Sequence, residues 1–117
     1  MSSISSHVLD TALGLPARNL RVRLQLLAIV EGTQHWTTLA ETSTDEDGRV
    51  RSFLPEAPLR PGTYRICFDT KTYLQASGRP VFYPQIDVVF AVDGAAEENY
   101  HIPLLLSPFG YSTYRGS

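Results

Sequence analysis

The chain has 117 residues, a formal net charge of −2 and 19% charged residues. That balance lacks the basic footprint of a nucleic-acid-binding protein, and no apolar run approaches the ~20 residues that span a bilayer. The length suits one domain, residues 1–117, which buries roughly two-thirds of its unfolded surface without staples.

The charged fraction lies below the roughly 25% of ordinary soluble domains. That deficit fits a protein that hides part of its surface in an oligomer. Cys67 is alone, so the chain forms no intramolecular disulfide and no cysteine-based metal cluster. A core position is expected for it. The opening M-S-S-I-S-S-H lacks the basic and apolar regions of a signal peptide, so a cytoplasmic location is expected.

Taken in order, residues 4–10 read as a short strand in which His7 shares a face with Ser5 and Leu9. Gly14 and Pro16 break the pattern, so residues 11–17 read as a loop. Residues 19–29 alternate Leu20, Val22, Leu24 and Leu26 with Arg21, Arg23 and Gln25, a clear strand pattern. Glu31 and Gly32 mark a turn, with His35 beside Gln34 in a polar turn. The Thr-rich run 36–44 reads as the next strand. D-E-D-G at 45–48 is a hairpin signal, with residues 49–54 leaving it as a strand. Residues 55–61 are a Pro-rich connector. Residues 62–69 alternate Tyr64, Ile66 and Phe68 against Thr63, Arg65 and Cys67. Asp69 is placed to cap a short helix over 70–77, stopped by Gly78. Residues 82–92 read as a long strand, 93–98 as a turn, and 100–106 with 111–114 as a hairpin around 107–110. Seven or eight strands with one short helix predict an all-β sandwich.

The last segment carries the strongest anomaly. Tyr100, Ile102, Leu104 and Leu106 share one face of a strand, and the opposite face of His101, Pro103 and Leu105 is also largely apolar. A half-solvated strand is polar on its wet side. From residue 99 to residue 114 there is no Lys, Arg, Asp or Glu. Such a surface favours association, so this end is expected against another subunit. His101 and Arg115 then stand as polar groups in a dry place, where they need partners or a task. With His7 and Arg49, or its neighbour Arg51, they compose a hydrolytic site in which histidine takes a proton from water and guanidinium holds an oxyanion. Ser107, Ser112 and Thr113 add hydroxyls at the same end. No nucleophile elbow, phosphate loop or dinucleotide motif is visible, and the histidines lack the spacing of a helical zinc site.

These residues carry a family resemblance. Y-H-I-P-L-L-L-S-P-F-G-Y-S-T-Y-R-G-S (100–117) resembles the signature of the 5-hydroxyisourate hydrolases, the transthyretin-related enzymes of urate breakdown. S-H-V-L-D-T-A-L-G-L-P-A (6–17), D-G-R (47–49), P-G-T-Y-R-I-C-F-D-T (61–70) and F-Y-P-Q-I-D-V-V-F (82–90) match as well. The matches span nearly the whole chain in order. The resemblance implies a prealbumin-like β-sandwich assembled as a homotetramer, a dimer of dimers, with active sites in the channel between dimers. It implies catalytic roles for His7, Arg49 and His101, and substrate binding by Tyr114, Arg115, Gly116 and Ser117. It implies 5-hydroxyisourate as the small-molecule substrate and no metal or organic cofactor. The alternative is a non-catalytic carrier that binds a small ligand in the same channel. Three polar groups there favour the enzyme.

Overall fold

The computed structural model describes residues 3–55, 58–94 and 98–117. Its elements in chain order are β1 (Ser3–Asp10), β2 (Leu15–Pro16), β3 (Arg21–Val30), β4 (Thr33–Ser43), β5 (Arg49–Val50), β6 (Gly62–Phe68), α1 (Thr70–Ala76), β7 (Ile86–Val92), β8 (Asn99–Ser107) and β9 (Gly110–Thr113). One sheet has the order β2-β1-β8-β9, with β5 also paired to β1, and the other has the order β4-β3-β6-β7. The expected all-β sandwich with one short helix is the observed architecture.

The period-2 pattern selects the faces. Ile4, Val8, Ile102 and Leu104 of the first sheet meet Leu24, Tyr64, Ile66 and Phe68 of the second in one buried cluster. Each such side chain contributes roughly 1.5–3 kcal/mol by leaving water. The helix is capped as expected, with the Asp69 carboxylate accepting from the Thr72 amide at 3.1 Å. Tyr73 of the helix donates to the buried Asp10 at 2.7 Å. Arg79 donates to both oxygens of the same carboxylate, at 2.6 and 3.3 Å. Burial alone raises the Asp10 pKa, but hydrogen bonds from Arg79, Tyr73 and the Leu13 amide outweigh it and hold the carboxyl below its usual value. This network ties the helix to the end of β1.

Several expectations are corrected. D-E-D-G does not close a hairpin: β4 lies in one sheet, and β5 crosses to the other to pair with β1. Thr44 ends β4 by donating to the Ala17 carbonyl at 2.6 Å and accepting from the Leu20 amide. The Asp45 carboxylate then folds the turn by accepting from the amides of Asp47 and Arg49, each at 2.9 Å. Gly48 has φ +74°, and a Cβ there would lie 2.5 Å from the Val8 carbonyl oxygen. Its own carbonyl instead accepts from the Val8 amide at 2.7 Å. The turn therefore docks onto β1, and β5 runs only two residues, not six. The expected loop over residues 11–17 contains the two-residue β2, which pairs with β1. His35 lies exposed within β4 rather than in a turn. β7 begins at Ile86 rather than at residue 82, since Pro84 lacks the amide that a ladder needs. Glu56 and Ala57 of the expected connector, and residues 95–97 of the expected turn before β8, lie outside the described residues.

Candidate active site

The site is built on β1, which has β5 on one side and β8 on the other. Antiparallel pairing sets His7 opposite Arg49. Parallel pairing sets Ser5 opposite His101. Residues at alternate positions of β1 face away from the core, so Ser5 and His7 are half-buried while Ser6 and Val8 are buried. Gly116 adds an antiparallel bridge to His101, its amide donating to the His101 carbonyl at 2.8 Å. Segments far apart in sequence thus converge on one outer face of the first sheet.

His101 is half-buried, and its Nδ1 lies 2.8 Å from Ser5 Oγ. Desolvation, followed by the positive charges of Arg49 and His7, holds its pKa below the usual histidine value. All three effects favour the neutral imidazole, the form that accepts a proton. His7 Nε2 lies 2.9 Å from the Asp47 carbonyl oxygen. A carbonyl only accepts, so Nε2 carries the proton of that bond. Arg49 and Arg51 share a segment but not a situation. Arg51 is exposed and pairs with Asp45 at 3.7 Å and Asp47 at 3.4 Å. Among the described residues, no carboxylate lies within ion-pair distance of the half-buried Arg49. Arg49 is therefore the guanidinium available to a ligand.

Ser5, Arg49, Arg51, His101 and Ser117 line a cavity of about 240 Å³, together with Ser6 and Val50. That is below the roughly 300–1,000 Å³ of pockets that enclose drug-sized ligands, so it suits a smaller molecule. His7 adjoins Arg49 outside this lining. Gly116 packs against the His101 ring, where a Cβ would lie 2.5 Å from Cδ2. Tyr114 and Arg115 stand elsewhere. The Arg115 guanidinium sits 4.7 Å from the Tyr100 ring centroid and 3.3 Å from the Glu98 carboxylate. Both residues line a neighbouring cavity of about 220 Å³ beside β7. Within the chain, His7, Arg49, His101, Gly116 and Ser117 come together, and Tyr114 and Arg115 do not join them. The hydroxyls of Ser107 and Thr113 are also engaged elsewhere, with Thr11 and the Pro103 carbonyl. Ser5 is the contact that residue-by-residue reading missed; its place on the His7 face was its only signal.

A larger cavity, about 380 Å³, lies on the opposite sheet beside Arg21, Arg23, Glu41, Cys67 and Lys71. Its two arginines already pair with Glu41. Burial and then Asp87 push the Cys67 thiol up, away from the reactive thiolate. The smaller cavity instead brings together a guanidinium with no carboxylate in ion-pair range among the described residues and a histidine whose surroundings favour the neutral form. Among the described residues, no three His, Cys, Asp or Glu side chains converge as metal ligands.

Comparison with known proteins places the whole chain. The model of the HIUase/Transthyretin family matches residues 4–116. A 5-hydroxyisourate hydrolase of Mus musculus is 44% identical over 116 residues, covering 99% of this chain and 96% of the mouse protein. One of Salmonella typhimurium is 41% identical over 114 residues, covering 97% and 80%. Among solved structures, the Klebsiella pneumoniae 5-hydroxyisourate hydrolase superposes with a TM-score of 0.83 at 35% identity, over 100% of both chains. Sea bream transthyretin in complex with thyroxine superposes with a TM-score of 0.88 at 31% identity, over 97% of this chain and 94% of that one.

Proposed function

This chain belongs to the HIUase/Transthyretin family, and we propose that His101 and Arg49 are the centre of its chemistry. The protein is a hydrolase of urate degradation that opens 5-hydroxyisourate to 2-oxo-4-hydroxy-4-carboxy-5-ureidoimidazoline. The observation that carries the residue assignment is half-buried His101, its pKa held down by burial and by Arg49, sharing a small cavity with Arg49, which has no carboxylate within ion-pair distance among the described residues.

The steps follow from that pairing. His101 Nε2 takes a proton from water as the oxygen adds to the ring carbonyl carbon. The carbonyl oxygen gains negative charge, and the Arg49 guanidinium stabilises it. When the carbon–nitrogen bond breaks, the imidazolium returns its proton to the leaving nitrogen. His7, anchored through Nε2 to the Asp47 carbonyl and paired opposite Arg49, orients the water in this reading. Ser117 lines the cavity, and Gly116 before it packs against the His101 ring. Arg115 acts as the tether of that segment, through Tyr100 and Glu98. Replacing Arg49 with Ala is expected to lower kcat by about 10²–10³, the usual loss of one oxyanion donor. Wild-type turnover in that variant would reject its role.

Two of the sheet edges among the described residues support an assembly. β7 and β9 each end a sheet, and exposed Val89, Phe109, Tyr111 and Tyr114 lie on or beside them. Free edges and apolar patches of this kind invite pairing with a second copy. The protein is a homotetramer in this reading, edge-paired dimers stacked on the His101 face. Light scattering at the mass of a monomer would refute it. Sea bream transthyretin, solved with thyroxine, shows that the fold also serves ligand binding. Here the charged cavity around Arg49 and His101 favours hydrolysis over holding an apolar ligand.

A further inference from the structure

We propose that Ser5 is a positioning residue for the reaction, its hydroxyl setting which nitrogen of His101 carries the resting proton. The inference rests on the reading of His101 as the base and deepens it.

The geometry comes from the β1–β8 pairing, which sets Ser5 beside His101 and brings Oγ within 2.8 Å of Nδ1. The ring is also confined from its other side. Gly116 holds the His101 carbonyl through its amide, and its Cα leaves no room for a Cβ beside Cδ2. Ser5 and Gly116 therefore define one ring orientation. Nε2 has no protein partner among the described residues, so it is the nitrogen left for water. To accept a proton, Nε2 must hold its lone pair, which places the proton on Nδ1. Nδ1–H then donates to Ser5 Oγ. After Nε2 gains a proton from water, the imidazolium still donates Nδ1–H to the same oxygen. A hydroxyl supports both states without adding charge. A carboxylate in its place would raise the basicity of the ring and hold the proton on it too long to reach the leaving nitrogen. Ser6 is no substitute, since its hydroxyl donates to the Ile102 carbonyl at 2.7 Å from the buried side of the strand.

The test compares the unaltered protein with Ser5→Ala, Ser5→Thr and His101→Ala. Turnover is measured on 5-hydroxyisourate made in place by urate oxidase. Long-range proton–nitrogen NMR, with His101 assigned by its loss in His101→Ala, reports the tautomer. In the unaltered protein His101 is expected as the Nδ1–H tautomer. Ser5→Ala is expected to lose about tenfold or more in kcat, the scale of a hydrogen bond to a charged partner, with little change in KM. Its tautomer shifts toward Nε2–H. Ser5→Thr keeps the hydroxyl and restores turnover to within about threefold. An Nε2–H tautomer in the unaltered protein overturns the proposal even if Ser5→Ala does not fold. So does Ser5→Ala with unchanged kcat, or a loss that Thr does not restore. If these failures occur while His101→Ala is inactive, only the role of Ser5 falls. If His101→Ala turns over like the unaltered protein, the base assignment falls and the role of Ser5 with it.

Discussion

Replacing Gly116 with Ala isolates the contact between the terminal segment and His101. Gly116 does not have a positive φ, so Ala meets no backbone strain there. The conflict is steric alone. The new Cβ would lie 2.5 Å from His101 Cδ2 and 3.3 Å from both His101 Cγ and Pro103 Cγ. Carbon atoms pack best at about 3.5–4.0 Å, so the ring or the terminal segment must move by about 1 Å. A displacement of about 1 Å at a reacting group costs up to ~10²-fold in rate. Overpacking of this kind costs typically ~1–3 kcal/mol of stability. The lower end is expected here, because most side chains of residues 111–117 are exposed and can give way more easily than a core. The assay is turnover on 5-hydroxyisourate beside a thermal melt, with Gly110→Ala as the control. At Gly110 nothing lies within 4 Å of the position a methyl group would take, and φ is not positive, so its variant should match the unaltered protein. If Gly116→Ala keeps turnover within about twofold, His101 does not need the orientation that Gly116 enforces.

Two further outcomes follow from the charged groups. Arg79→Ala leaves the Asp10 carboxylate buried without its main partner, so stability should fall by about 3 kcal/mol, the low end for a broken buried pair because Arg79 is 23% exposed. In the unaltered protein the depressed Asp10 pKa stabilises the fold fully above the unfolded value of about 3.9. That contribution is lost as pH falls through the folded value, and acid denaturation curves of the two proteins should converge there. The pH–rate profile tests His101, which faces His7, Arg49 and Arg51. Because its pKa is lowered, kcat/KM should stay flat as pH falls past 6.5 and decline only below that. A decline centred above 6.5 would contradict the electrostatics of the cavity. The same shift makes the fold less stable at acid pH, since the unfolded chain binds the proton more readily.

Much of the fold is legible in strand alternation. The inward residues of β1, β3, β6 and β8 are the ones that the period-2 pattern selects, and Asp69 caps its helix as its position implies. What alternation does not carry is pairing between distant segments. D-E-D-G has the residues of a hairpin turn, yet Thr44 and the Val8–Gly48 hydrogen bond send β5 to the other sheet. That crossing puts Arg49 beside His7, and nothing local to 45–50 announces it. Arg49 and Arg51 look equivalent as letters; in space Arg49 is half-buried opposite His7, while Arg51 is exposed and held by Asp45 and Asp47. The role of Ser5 is hidden for the same reason, because its partner lies 96 residues away. His101 is the clearest anomaly, since a histidine on an apolar face implies a partner or a task. Arg115 carries a similar signal, but its guanidinium meets Tyr100 and Glu98 instead of the cavity.

The decisive measurement is the decay of 5-hydroxyisourate, generated by urate oxidase and followed by ultraviolet absorbance, with the unaltered protein and with His101→Ala. The expected result is fast decay with the unaltered protein and a loss of about 10²–10⁴ in His101→Ala, at the same oligomeric mass and melting temperature. Decay at the spontaneous rate with the folded, unaltered protein would contradict the hydrolase itself. Undiminished decay with His101→Ala would contradict the assignment of the base.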